Sequence, residues 1–279
     1  MKRFMLALRL LGRDWRSGEV RVLALAVVIA VASVTSVGFF TDRIQQLLAQ
    51  QANVLLGADL VVTADHPLAG DVKNAAQRYG LRTAETVSFL SMVQTDGHNQ
   101  LTAVKAVSGN YPLRGELRIA SRRFAPDHAV KDVPAPGSAW ADERLLGELA
   151  VQAGDRITLG NVTLTLSAVI SHEPDRGGSL FSIAPRLLMN QADVAATGLI
   201  QPGSRVQYRV LVSGDPAALK DYRNEIEGKL NRGEHLETVE DARPEMRTAL
   251  ERARQFLGLA TMVSVMLAGV AMAMAARRF

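Results

Sequence analysis

The 279-residue chain contains no cysteine, and aromatic residues make up only 5% of it. Without cysteine the chain has no disulfide framework and no thiolate metal site. It also lacks the phosphate loop of many ATPases, the G-x-S-x-G motif of serine hydrolases and the H-E-x-x-H motif of zinc proteases. The sequence therefore excludes ATP hydrolysis by a phosphate-loop site within this chain and contains none of these catalytic motifs.

A large excess of one charge is also missing, because the formal net charge is only +4. Residues 1–21 contain six basic and two acidic residues, whereas residues 41–255 contain 24 basic and 26 acidic residues. Two further arginines, Arg277 and Arg278, stand at the end of the chain. The basic surplus is thus confined to the two ends, where it suits anionic lipid headgroups, and it does not indicate nucleic acid binding.

Two long segments contain no charged residue: 22–40, with 19 residues, and 256–276, with 21 residues. A helix needs ~20 apolar residues to cross a bilayer core of about 30 Å, so both segments are predicted to be transmembrane helices. A buried core helix is the alternative, although uncharged runs of this length are rare in soluble domains. A cleaved signal peptide is a further alternative for the first segment, but its apolar region would be shorter, about 7–15 residues.

The basic flanks predict the orientation of these helices. Basic flanks stay in the cytoplasm, and a long loop is translocated largely regardless of its charge, so we expect residues 41–255 outside and both ends inside. Residues 1–21 place Phe4, Leu8, Leu11 and Trp15 on one helical face, which predicts an amphipathic helix in the cytoplasmic interface. A disordered basic segment is the alternative for this stretch.

The outer domain has both helical and strand periodicity, which predicts a mixed α/β fold. Helical patterns over 41–56 and 244–255 run into the apolar segments and predict two stalk helices, the first ending at Gly57. Gly160 and Asn161 separate two alternating runs and predict a β-hairpin. Further strands are expected over 58–64, 86–95, 100–109 and 235–241, with a turn at 96–99 and helices over 71–80 and 215–230.

The segment "SHEPDRGG" at 171–178 has the composition of an active site, because a histidine, two acidic residues and an arginine stand beside two glycines. His172, Glu173 and Asp175 are close in sequence, but Pro174 interrupts any regular presentation of their side chains. A metal needs three or four convergent ligands, and a serine nucleophile such as Ser179 or Ser182 needs an oriented base. The favoured interpretation is a charged loop held by local pairing between arginine and carboxylates. We predict no catalytic, metal or cofactor residues in this chain.

Several segments together carry a family resemblance. They are "LALRLLGRDWRSGE" at 6–19, "LLGADLVVTA" at 55–64, "VKAVSGNYPLRGEL" at 104–117, "ADERLLGELAVQAGDRITLG" at 141–160 and "EPDRGGSLFSIAPRLLMNQADVAATGLIQPGSRVQYRVLV" at 173–212. In combination they resemble the FtsX-like, MacB-type permeases of ABC transporters, and within that family the YbbP-type members. The resemblance covers essentially the whole chain.

The resemblance implies an α+β membrane protein of the bacterial inner membrane, in which two transmembrane helices, extended by stalks, flank a MacB-like periplasmic domain. It also implies a cytoplasmic ABC ATPase dimer that binds ATP and Mg²⁺, a remaining permease half after 277–279, and lipid-like or hydrophobic cargo. A periplasmic hydrolase or acceptor protein is a further implied partner. The alternatives are a two-span sensor with a periplasmic ligand-binding domain, and a membrane-tethered hydrolase that uses His172 and its neighbours.

Overall fold

The structure is a computed structural model. It describes residues 56–176 and 183–238 continuously, and scattered positions within 28–54 and 252–270. The chain divides into two units, one formed by Ala49–Arg243 and the other by Met1–Leu48 with Pro244–Phe279. The scattered positions are helical. No helix within the described part of the chain is both long and apolar enough to cross a membrane.

Four of the sequence predictions fall wholly or largely on residues outside this description. They are the interfacial helix 1–21, the transmembrane segments 22–40 and 256–276, and the second stalk 244–255. Of the first stalk, Arg43, Asn53, Val54 and Leu56 are described as helical, and Gly57 follows Leu56 with a φ of +73°. This left-handed conformation is the one predicted for Gly57 at the end of the helix.

Among the described residues, eleven strands and four α-helices make up the larger unit. The strands are β1 Leu60–Ala64, β2 Arg82–Thr95, β3 His98–Val107, β4 Leu117–Ala120, β5 His128–Val130, β6 Ser138–Asp142, β7 Arg156–Leu159, β8 Val162–His172, β9 Arg186–Asn190, β10 Val206–Ser213 and β11 Glu234–Glu237. The helices are α1 Gly70–Arg78, α2 Glu143–Glu148, α3 Val194–Thr197 and α4 Pro216–Glu227, and a 3-10 helix spans Gln191–Asp193.

The strands belong to one sheet with the order β11-β1-β10-β2-β3-β9-β6-β8-β4-β5, and β7 pairs with both β2 and β8. Only β3/β9 and β6/β8 are parallel among these pairs. Because β7 bridges β2 and β8, the strands β2, β3, β9, β6, β8 and β7 close into a ring. Closure provides every strand of the ring with a hydrogen-bonded neighbour on each side, which removes free edges there.

Three apolar clusters fill the unit. The first combines side chains of the six ring strands and α2, including Phe89, Leu145 and Leu187. The second lies on the opposite face of β2, β3 and β9 and includes Tyr111, Trp140 and Leu188. The third packs α1 and α4 on β1 and β10. Alternation along each strand explains this layering, because successive side chains of a strand point to opposite faces.

The predicted mixed α/β character is confirmed, and so is the hairpin, in which Leu159 pairs with Val162 across Gly160 and Asn161. The predicted strands at 86–95 and 100–109 pair as β2 and β3, but the connecting turn is shorter than expected. The sequence predicts that His98 and Asn99 belong to the turn, whereas in the structure they pair with Thr95 and Gln94 between β3 and β2. Only Asp96 and Gly97 remain outside it, with Gly97 at a φ of +98°.

Candidate functional site

A buried group of charged side chains occupies the second apolar layer. It consists of Lys105, Tyr111, Glu173, Asp175, Arg186 and Arg209, which we call the buried charge cluster. Five elements contribute to it: β3, the segment after β3, the segment after β8, β9 and β10. Burial of unpaired charges costs several kcal/mol each, so such a group persists only when its members compensate one another.

Lys105 lies at the centre of the cluster. It alternates along β3 with Val104 and Ala106, whose side chains belong to the first apolar cluster, so Lys105 faces the opposite side. Its Nζ donates to both carboxylate oxygens of Asp175 at 2.7 Å and to Glu173 Oε1 at 2.9 Å. The ammonium group thereby joins two carboxylates that lie about seventy residues further along the chain.

Tyr111 covers the cluster from the segment after β3. Its hydroxyl accepts from Lys105 Nζ at 2.9 Å and donates to Asp175 Oδ1, and the Lys105 ammonium lies 4.4 Å from its ring centroid. Burial, together with the negative charges of Asp175 and Glu173, raises the pKa of the Tyr111 hydroxyl well above its ordinary value. The tyrosine therefore stays neutral and remains a donor to the carboxylates at physiological pH.

Two arginines complete the charge balance. Arg186 Nε approaches Glu173 Oε2 to 3.0 Å as an ion pair, although its N–H is not aligned for a hydrogen bond. Arg209 lies 3.5 Å from Asp175 Oδ2 and 3.3 Å from Glu237 Oε2 on β11. Burial alone would raise the pKa of Asp175, but the charges of Lys105 and Arg209 and the hydrogen bonds from Lys105 and Tyr111 lower it overall.

A second ion pair anchors the start of the unit. Arg114 binds Asp59 through two hydrogen bonds, Nε to Oδ1 at 2.9 Å and Nη2 to Oδ2 at 2.7 Å. Asp59 also accepts from Ser213 Oγ at 2.7 Å and from Asn53 Nδ2 at 2.9 Å. Burial raises the pKa of Asp59, but the hydrogen bonds from Arg114 and Ser213 outweigh it, so the pKa is lowered. The carboxylate thus joins the described helical residue Asn53 to β10 and to the segment after β3.

The segments around Arg114 and Glu173 are packed directly on each other. A Cβ added to Gly115, which has a φ of +81°, would lie 2.6 Å from Pro174 Cβ. Beyond Pro174, Arg176 Nη2 donates to Asp142 Oδ2 at 2.5 Å, and Asp142 Oδ1 accepts from the Leu145 backbone N–H at the start of α2. The "YPLRG" and "EPDR" motifs therefore form one contact surface.

The structure corrects the sequence-based interpretation of "SHEPDRGG". Local pairing between arginine and carboxylates was expected there, but Glu173 and Asp175 are almost fully buried and pair with residues of β3, β9 and β10. Arg176 pairs with Asp142, 34 residues earlier. The physical reason is the proline-containing turn after β8, which directs both acidic side chains into the protein.

Of the candidate catalytic residues, the described His172 and Glu173 are not brought together by the structure. His172 is exposed, whereas Glu173 points into the buried charge cluster. Ser179 and Ser182 lie outside the described residues. Within the described ranges, no three histidine, aspartate or glutamate side chains are arranged to hold a metal ion.

Lys105 and Tyr111 lie within the segment 104–117 that carries the family resemblance, but the sequence alone assigns neither of them a role. The signal that marks Lys105 is its place inside "LTAVKAV", where apolar residues surround one charged side chain on both sides. For Tyr111, the signal is its position at the start of "YPLRG", three residues before Arg114.

Comparison with known proteins gives two sequence matches. Residues 22–244 match the family model described as the MacB-like periplasmic core domain. Over 267 residues the chain is 32% identical to a protein of Escherichia coli strain K12 named "Uncharacterized ABC transporter permease YbbP". The match covers 96% of this chain and 32% of that relative, so the chain spans about a third of the relative's length.

Two solved structures resemble the fold at low identity. The periplasmic region of MacB from Actinobacillus actinomycetemcomitans gives a TM-score of 0.42 at 11% identity and covers 71% of this chain and 95% of its own. The extracellular domain of the noncanonic ABC-type transporter YknZ from Gram-positive bacteria gives 0.41 at 8% identity, covering 64% and 100%.

Proposed function

The chain belongs to the MacB-type family of ABC transporter permeases, and we propose that it forms the first membrane-anchored periplasmic module of such a permease. In this proposal, segments 22–40 and 256–276 cross the bacterial inner membrane and residues 41–255 lie in the periplasm. The family resemblance inferred from the sequence motifs is confirmed by the family match over residues 22–244. The module's own role is mechanical, and ATP and Mg²⁺ bind to a separate ATPase dimer.

One observation carries the mechanical role: a chain of polar contacts joins the first and last described parts of the larger unit. At the first end, Asn53 and Arg114 hold Asp59. Three residues before Arg114, Tyr111 contacts Asp175.

At the last end, Arg209 joins Asp175 to Glu237 of β11, the strand that precedes the predicted second stalk. Transmission of motion requires rigid elements that respond as a unit, and these contacts favour such a response. In the proposal, closure of the ATPase dimer moves the stalks, and the buried charge cluster makes the periplasmic unit follow them as one body. The remaining permease half and lipid-like or hydrophobic cargo, passed to a periplasmic hydrolase or acceptor, belong to the same proposal.

The test uses the complete permease that contains this segment, purified from membranes through an affinity tag. We expect an ABC ATPase to co-purify, and ATP hydrolysis by the complex in lipid nanodiscs to exceed that of the free ATPase. Absence of any co-purified ATPase would overturn the assignment.

The topology part of the proposal has its own test, because the chain lacks cysteine. A single cysteine in place of the exposed His128 is expected to react with a membrane-impermeant maleimide from the periplasmic side. A cysteine in place of Ser17 is expected to react only after the membrane is permeabilised. The reverse pattern would contradict the proposed orientation.

A further inference from the structure

A cleft of about 390 Å³ is lined by described residues, none of which belongs to the buried charge cluster. It is bordered by the loop after β4 and by the residues that connect α2 to β7. Two arginines, Arg122 and Arg123, form one side, and the rest of the lining consists of Gln152 and the aliphatic residues Leu146, Ala150, Val151 and Ala153. None of the described lining residues is acidic.

The two arginines differ from most other arginines of the described unit in having no carboxylate partner. Arg114, Arg144 and Arg176 each approach a described carboxylate to 2.8 Å or less. Among the described residues, no ion pair involves Arg122 or Arg123, although Glu143 and Glu148 are on the adjacent helix α2. The Arg123 guanidinium instead lies across Gly147, where an added Cβ would be 3.5 Å from its Nη2. The cleft therefore presents two arginines without an ion pair to the described residues, near Glu143, whose Oε1 accepts from the Phe124 backbone N–H at 3.5 Å.

Backbone strain shapes both sides of this cleft. Phe124 has a φ of +60° and Ala150 a φ of +54°, and they are the two non-glycine residues with positive φ in the described ranges. Such conformations cost about 1–3 kcal/mol each, so the surrounding structure must hold them. At Phe124 the result is an aromatic side chain that is 83% exposed beside the Arg123 guanidinium, 5.2 Å from the ring centroid. Phe124 thus presents an apolar ring to solvent next to the Arg123 guanidinium.

We propose that this cleft binds a small amphiphile with an anionic head group. Arg122 and Arg123 would bind the carboxylate or phosphate head through charge-assisted hydrogen bonds. The aliphatic residues of the lining would contact the apolar chain, and the exposed ring of Phe124 lies beside Arg123, next to the lining residues. A volume of about 390 Å³ falls within the roughly 300–1,000 Å³ of small-molecule sites, which favours a small ligand over a segment of a protein.

The test uses the full chain in phosphatidylcholine nanodiscs and two photoreactive probes of equal chain length. One is a diazirine-labelled dodecanoate, and the other is the corresponding dodecanol, which has a neutral head. After illumination, peptide mass spectrometry locates the labelled residues. Comparison of the two probes separates binding by the head group from simple partitioning into the bilayer.

We expect dodecanoate to label the cleft residues and the double variant Arg122→Gln/Arg123→Gln to reduce that labelling about tenfold, as loss of charge-assisted hydrogen bonds implies. Arg122→Lys/Arg123→Lys should retain part of it. The matched control is Arg82→Gln, an exposed arginine at the start of β2 with no ion pair to the described residues, and it should leave the labelling unchanged. Unlabelled dodecanoate and dodecyl phosphate should compete, whereas inorganic phosphate should not.

Equal labelling of the cleft by dodecanol, or labelling insensitive to the double glutamine variant, would overturn the proposal. Stronger competition by an acidic peptide such as hexaglutamate would also overturn it and identify the cleft as a protein-docking site. No ATPase takes part in this experiment, so its result is independent of the proposed transport function.

Discussion

Lys105 and Asp175 are 70 residues apart in the sequence, yet the ammonium nitrogen lies 2.7 Å from both carboxylate oxygens, and both side chains are at most 4% exposed. At this depth, neither charge has enough water to stabilise it alone. The pair therefore holds β3 and the segment after β8 together, and loss of either partner leaves the other charge buried without compensation.

The first prediction is that Lys105→Met lowers the free energy of unfolding by about 3–5 kcal/mol, the usual result of breaking a buried ion pair. Urea unfolding of the chain in nanodiscs measures it, with Trp140 of the second apolar cluster as the fluorescent probe in a Trp15→Phe background. The control is Lys73→Met. Lys73 lies 3.0 Å from Glu85 with both side chains about one-third exposed, so its loss should change stability by less than about 1 kcal/mol. Equal effects of the two substitutions would contradict the assigned role of the cluster.

The second prediction concerns the ion pair between Arg114 and Asp59. Arg114→Lys keeps the charge but loses the two parallel hydrogen bonds, and we expect a loss of about 1 kcal/mol in stability. If the proposed mechanical role is right, the same variant lowers transport-coupled ATP hydrolysis by the complete permease. Arg118→Lys is a matched control, because Arg118 binds Asp127 with the same two-bond geometry but at an exposed site. Equal loss of ATP hydrolysis in both variants would show that the ion pair between Arg114 and Asp59 has no specific role in the coupling.

The third prediction tests the contact between the "YPLRG" and "EPDR" motifs. Gly115→Ala places a methyl group 2.6 Å from Pro174 Cβ in a conformation that alanine rarely adopts, so the two segments must move apart. We expect a loss of about 2–4 kcal/mol, the sum of the overpacking and the backbone strain. Gly97→Ala is the control, because its φ is also positive but nothing lies within 4 Å of the added Cβ. Strain alone costs about 1–2 kcal/mol there. A similar loss for both variants would show that the contact with Pro174 is not tight.

The sequence predicted individual strands well, but it did not predict which distant segments pack over the faces of those strands. The hairpin around Gly160 and the pairing of β2 with β3 follow from alternation and from turn residues adjacent in the chain. Strand alternation by itself gives no reason to bury Lys105, a single charged side chain in β3. Its burial follows from segments far away in the chain, around Tyr111 and Asp175, that cover this face. Local periodicity contains no information about a second layer, so the buried charge cluster could not be assembled from the sequence.

The same limit explains the outcome for "SHEPDRGG". Composition indicated charges and a turn, and both are present. The direction of each side chain depends on the parallel placement of β9 beside β3, which brings Arg186 to Glu173. Parallel neighbours are connected by long crossovers rather than by short turns, so no local motif predicts which strands become adjacent.

The fourth prediction concerns acid. A carboxyl whose pKa is lower in the folded state than in the unfolded state adds stability above its unfolded pKa, and this stability is lost as the pH falls through the folded value. The pKa values of Asp175 and Asp59 are both lowered in the folded chain. An aspartate in an unfolded chain has a pKa of about 3.9. We therefore expect no contribution from these two groups to changes between pH 7 and about 6, and a steep loss of stability below about pH 4.

Urea midpoints measured at several pH values check this expectation, and Asp175→Asn identifies the group. The variant is less stable than the parent at pH 7, because Lys105 and Arg209 lose their shared partner, but its stability should fall less steeply below about pH 4. Asp132→Asn serves as the control, since Asp132 is exposed and has no ion pair to the described residues; its acid dependence should match that of the parent. If the Asp175→Asn chain lost stability in acid as steeply as the parent, the buried charge cluster would not be the origin of the acid sensitivity, and Asp59 together with the exposed carboxylates would have to account for it.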